Sequence, residues 1–203
     1  MYALPSSTLL SKQIPKKSIF EKFALTPAQR QRIDVDIARI DIIAHLGQTT
    51  LPAIASGKEV SEVYVLSISL KTKGYHPDNL RLLGRLIPQR MLFVLCYEDQ
   101  AQLAIIHEGL HTSPWSTKEE LRIPLGGLDF DAVWEHLVLS VGDITRCKEL
   151  TLSQQIQKKQ EQEHLRKEIE QLERKMRQEK SLGKQMRLRT QVNELKKRLE
   201  ARP

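Results

Sequence analysis

The sequence predicts an α/β (α+β) fold: a mixed, mainly antiparallel sheet of about four to five strands flanked by helices, followed by a C-terminal antiparallel helical hairpin. Three observations predict it. Up to residue 149, short β-branched or apolar runs alternate with stretches of helical period. From Leu150 onward proline is absent until the last residue, and Gln, Glu, Lys, Arg and Leu dominate, all strong helix formers. Within that tail two apolar quartets repeat the same spacing but cannot lie on one continuous helical seam.

The first sixteen residues carry two prolines and a Ser-Ser-Thr cluster and read as an extended arm. KKSIFEKFAL follows as a short helix. Thr26-Pro27 is a helix start, with Thr as cap and Pro at the first helical position. The helix it opens sets Ile33, Ile37 and Ile40 on one face, and a strand is expected from Ile40. EVSEVYVLSISLKTK is a strand whose Tyr64, Leu66, Ile68 and Leu70 form one apolar face, implying a sheet packed on one side. Leu80, Leu83 and Leu86 give HPDNLRLLGRLIPQ helical spacing, which Pro88 stops. RMLFVLCYE is continuously apolar and therefore a central strand. Glu98-Asp99-Gln100 turns it into a third strand, AQLAIIHEG, and WSTKEELRIPL reads as a fourth, more exposed one. LDFDAVWEHLVLSVG is an amphipathic helix with Phe130, Val133, Trp134, Leu137 and Val141 inward. The expected organisation is an arm over 1–16, an α/β domain over 17–149 and a basic helical hairpin over 150–203.

Charge follows the same division. The chain carries a net +7, yet residues 1–149 hold 17 basic and 17 acidic side chains. The imbalance therefore lies in the tail, where 15 basic residues face 8 acidic ones. Such a localised positive field attracts polyanions or an acidic protein surface. No apolar run is long enough for a membrane span. The N-terminal stretch lacks the charged-then-apolar pattern of an export signal. Cys96 and Cys147 are too few and too isolated for a disulfide framework or a zinc site, which fits a reducing, cytoplasmic setting.

In the tail, Leu165, Ile169, Leu172 and Met176 are spaced four, three, four, and so are Leu188, Val192, Leu195 and Leu199. Each quartet is a coiled-coil seam, but the interval between them fits no common heptad frame. Reversal near Leu182 resolves this by setting Met176 against Leu188, Leu172 against Val192, Ile169 against Leu195 and Leu165 against Leu199. Flanking charges would then place Glu173 by Arg189 and Glu168 by Arg198, with Arg166 facing Lys196 unfavourably. Ser181 and Gly183 supply turn chemistry, glycine by tolerating positive φ after a helix end. The alternative is one continuous helix that pairs with a second copy.

Catalytic patterns are thin. A restriction-type nuclease would need an Asp and, on the next strand, a carboxylate two residues before a Lys, together holding magnesium. Asp41 and Lys71 have the placement, but position 69 is Ser69, and Glu59 and Glu62 fall in the wrong phase. His107 and His111 are four apart on a strand, a poor chelate, and Asp129 and Asp131 read as acids at a helix start. There is no glycine-rich phosphate loop. No cofactor is expected. The remaining candidate is the basic tail: Arg174, Arg177, Lys180, Lys184, Arg187, Arg189, Lys196, Lys197 and Arg198. Contacts of this kind go to phosphates, are independent of sequence and weaken with salt. No aromatic residue is interleaved for base stacking.

Several stretches together resemble an uncharacterised bacterial family, domain-of-unknown-function family 4391: IPKKSIFEKF, DIARIDIIAHL, VYVLSISLK, LLGRLIPQRMLFVL, LDFDAVWEHLV and the Lys/Glu-rich end. The resemblance brings no catalytic residues. By association of its members with helicase and DNA methyltransferase genes of restriction-like loci, it implies a non-enzymatic accessory subunit in an antiphage system. Such a subunit would dock a helicase or methyltransferase, and DNA through its tail. A divergent metal-dependent nuclease and a self-associating coiled-coil protein are the alternatives.

Overall fold

The structure is a computed structural model that describes residues 2–86, 88–147 and 149–200, with the side chain of residue 86 outside the description. The chain forms two compact units, residues 1–145 and 146–203. Among the described residues no helix is long and apolar enough to cross a membrane.

The first unit is built on a seven-stranded sheet. Its elements are β1 (Leu9–Gln13), α1 (Lys16–Lys22), α2 (Pro27–Asp36), β2 (Ile37–Gly47), β3 (Glu62–Leu70), α3 (Pro77–Leu86), β4 (Arg90–Tyr97), β5 (Gln100–Ile106), β6 (Leu110–Thr112), β7 (Ser116–Thr117) and α4 (Phe130–Val141). The strands run in the order β1-β2-β3-β4-β5-β6, with β7 also on β5. All pairs are antiparallel except β3–β4, which α3 connects as a parallel crossover.

Sequence logic explains most of this. Thr26 caps α2 through a reciprocal capping box with Gln29, and Pro27 opens the helix. The helix ends at Asp36, a turn earlier than its apolar spacing suggests, because Ile37 is already extended. The β-branched run from Ile37 then favours a strand, and Ile37 and Ile40 are buried from β2 rather than from a helix. Strand β4 lies between β3 and β5, and residues 91–96 are buried throughout, as its unbroken apolar run requires.

One expectation needs correction. The sheet has more strands than four or five because its edges are made of short pieces: the arm supplies β1, Leu110–Thr112 just after the expected third strand forms β6, and of the region read as a fourth, exposed strand only Ser116–Thr117 is β7. Strands of two to five residues with polar faces give little periodic signal. The sheet is also covered on both faces. On one, Ile19, Leu25, Ile33, Leu80 and Leu83 pack with Leu66, Ile68, Phe93 and Leu95. On the other side of β3 and β4, Val63, Val65, Leu92 and Val94 are buried as well. There α4, packed against β5 and β6, buries Phe130, Val133, Trp134, Leu137 and Val141.

The long β2–β3 connection is fastened to α4. Asp129 caps that helix by accepting from the Ala132 amide at 2.8 Å. Asp131 accepts from the amides of Lys58, Glu59 and Val60 at 2.6, 3.1 and 2.8 Å. Although desolvation opposes ionisation, these amides hold the Asp131 carboxyl below the usual carboxylate range. A Cβ on Gly57 would stand 2.3 Å from the Asp131 Oδ1, so only glycine leaves room for the latch.

The second unit is the helix pair α5 (Leu152–Gln178) and α6 (Leu182–Glu200), which pack against each other across the three-residue link Glu179–Ser181.

Candidate nucleic-acid interface

Helix α5 begins where Thr151 accepts from the Gln154 amide while the Gln154 side chain accepts from the Thr151 amide. At its other end Glu179 is extended, with φ −73° and ψ 133°, and this single residue organises the reversal. Its carboxylate accepts from the Lys180 and Ser181 amides, both at 3.0 Å. Its carbonyl accepts from the Gln185 side chain, and the Gln185 amide donates to the Ser181 carbonyl at 2.9 Å as α6 starts. The Ser181 amide leads the effects that hold the Glu179 carboxyl below its ordinary range, with Lys184 adding to it.

Glycine does not make the turn, contrary to expectation. Gly183 lies inside the first turn of α6, has an ordinary φ, and a Cβ there would meet nothing within 4 Å. A carboxylate bound to two successive amides replaces the left-handed glycine, a solution that turn-residue statistics do not reveal.

The eight seam residues are all at least half-buried, although Ile156, near the start of α5 and outside the seam, is buried more deeply than any of them. Ile169 and Val192 are buried at 8% and 4% exposure, and Leu165, Leu172, Met176, Leu188, Leu195 and Leu199 are half-buried. The flanking charges differ from expectation. Glu173 bonds Lys196 at 2.8 Å rather than Arg189, because the long Lys196 side chain reaches back along α6. That bond, rather than burial, holds the Glu173 carboxyl low.

All nine basic residues named from the sequence are exposed. The fold divides them. Lys180, Lys184 and Arg187 line a concave pocket of about 650 Å³ at the hairpin tip, together with Lys175, Gln178, Glu179 and Leu188. At 100° per residue Arg198 falls on the same side of the α6 seam, Arg189 and Lys196 on the other, and Lys197 opposite the seam. Arg177 adjoins Glu173, and Arg174 points away from the α5 seam. Lys175 is the member that sequence reasoning missed. Its pocket neighbours Lys184, Arg187 and Leu188 come from beyond the turn, so the reversal is what reveals it.

The other residues considered for chemistry are engaged locally. Asp41 accepts from Arg39 Nε through both oxygens, at 2.8 and 2.7 Å. Lys71 donates to the carbonyl of Asp34, and Arg39 stands opposite Ser69 in the β2–β3 register. His107 accepts from Trp134 Nε1 at 3.3 Å and its carbonyl contacts His111 Nε2 at 3.0 Å. Burial and the nearby Arg90 keep His107 neutral to lower pH than usual. A polar pairing not anticipated joins His45 to Glu62 at 2.7 Å, with the Tyr64 ring stacked on His45 at 4.7 Å. Among the described residues no three His, Cys, Asp or Glu side chains converge as metal ligands would.

The molecule is thus a mixed-sheet α/β protein whose distinctive surface is a cationic helical hairpin. It belongs to the family described as Domain of unknown function (DUF4391), whose model matches residues 3–199. No curated protein and no solved structure matches the chain.

Proposed function

We propose that this protein is a non-enzymatic accessory subunit of a bacterial DNA-processing, restriction-like defence system, with the hairpin tip as its contact to DNA phosphates. The reading takes the α/β unit as the part that docks a helicase or DNA methyltransferase. One observation supports it most: Lys175, Lys180, Lys184 and Arg187 share one concave tip, while the acid among them, Glu179, is turned onto backbone amides. Glu179 offsets part of this charge through Lys184, but four cations beside one acid leave an excess for an outside anion. Two helices meeting at a turn also present their cations from both sides of a phosphate row. A seam closed between α5 and α6 of one chain makes a second copy unnecessary for hairpin formation, which favours this reading over self-association.

The test is fluorescence anisotropy with a labelled 30-base-pair duplex over a salt series. Four phosphate contacts predict a slope of log K against log salt of about −3 to −4. Lys175→Glu with Lys184→Glu and Arg187→Glu should remove retention, whereas Arg174→Glu with Lys197→Glu should leave most of it. Equal loss in both variants, or a salt-independent affinity, would contradict a tip-centred phosphate contact.

A further inference from the structure

The first unit carries a second concavity, unrelated to the hairpin. A cavity of about 140 Å³ opens between α1, α3 and the sheet. Ile40 and Leu66 of the sheet form its floor, and Leu83, Ile19, Ile14 and Phe23 its walls. Among the described residues of the lining, the polar ones are Ser18 and Lys22. These two are exposed and lie four residues apart on α1, so they stand one above the other on the same helix face. Lys22 Nζ hangs 5.7 Å from the centroid of the Phe23 ring, over the cavity wall. The neighbouring acid on α1, Glu21, faces Lys17 at 3.7 Å.

We infer that this cavity is a binding site for a small amphipathic anion: an apolar chain or ring of about six carbons carrying a carboxylate, with Lys22 and Ser18 holding the head group. Size sets the tail. An enclosed apolar cavity of about 150 Å³ accepts a benzene-sized guest, which sets the scale for the apolar part. Chemistry sets the head group. A lysine and a hydroxyl at the mouth of an otherwise apolar pocket are the few polar groups that orient a ligand in such sites. A cationic guest would meet Lys22, and a neutral one would gain nothing from it.

Methyl-selective NMR titration of the full chain tests this with three probes of one length: hexanoate, hexanol and hexylammonium. Hexanoate should shift the methyls of Ile14, Ile19, Ile40, Leu66 and Leu83, with about tenfold tighter binding than hexanol. Hexylammonium should not bind. Lys22→Glu, at an exposed position, should invert the order of hexanoate and hexylammonium. Ile14→Trp, which enlarges a wall side chain to fill the cavity, should abolish the shifts for every probe. The inference is overturned if no probe shifts these methyls, or if hexanol and hexanoate bind alike and Lys22→Glu changes neither.

Discussion

The two units of this chain hold themselves together by different means. In the first, β3 and β4 sit inside a sheet covered on both faces, and side chains such as Phe93, Leu92 and Leu95 are wholly buried. In the second, one narrow seam joins two helices, and only Ile169 and Val192 of its eight apolar residues reach full burial. The first unit is close to neutral, with 15 basic and 16 acidic residues, and pairs several of them locally; the second carries the excess of positive charge. A unit that buries much can leave its surface unremarkable. A unit that buries little keeps its length, its turn and its cations exposed, and those are what a partner meets.

The sharpest test of this contrast is truncation at Phe93. Phe93→Ala should destabilise the first unit by about 3–5 kcal/mol in urea unfolding, the cost of a cavity in a closed core. Ile169→Ala should cost about 2 kcal/mol and reduce helicity of the second unit alone, leaving the near-ultraviolet signal of Trp134 and Trp115 unchanged. If Ile169→Ala also lowered the unfolding midpoint of the sheet, the separation of the two regions would fail. Gly57→Ala, which drives a methyl onto the Asp131 latch, should cost about 1–3 kcal/mol in the first unit.

Gly183→Ala sharpens the account of the turn. Inside a helix and with open space around it, the added methyl should stabilise the hairpin by up to about 1 kcal/mol. A left-handed glycine at that position would give a loss instead. Acid should act on the same turn through Glu179. Its carboxyl is held low in the folded hairpin, so its contribution is fully present above the unfolded value of about 4.3. That contribution fades as pH falls through the lower folded value, and faster hydrogen exchange of the Ser181 amide reports it. The smallest effect belongs to Lys196→Ala, which removes an exposed ion pair and should leave hairpin stability unresolved from that of the parent.

How much of this was legible from the residues differs along the chain. The central strand, the Thr26-Pro27 cap, the inward face of α4 and the seam quartets all follow from local period or capping chemistry, which act over a few residues. The parallel β3–β4 crossover, the short edge strands and the Asp131 latch depend on residues far apart in sequence, with nothing periodic to mark them. The tip pocket was half legible. Lys180, Lys184 and Arg187 stand out as charge, but Lys175 joins them only after the chain has turned, and Glu179 reads as one more helix acid until its carboxylate is found on the Lys180 and Ser181 amides.

The reversal at Glu179–Ser181 is what gathers the cations, so it is the feature to measure. Spin labels at Lys167 and Lys197, both exposed, in a chain with Cys96 and Cys147 replaced, report it by electron–electron dipolar spectroscopy. Antiparallel helices with axes about 8–10 Å apart predict a label distance below about 30 Å. A distance of about 45 Å, the rise of thirty residues along one unbroken helix, would contradict the folded-back hairpin.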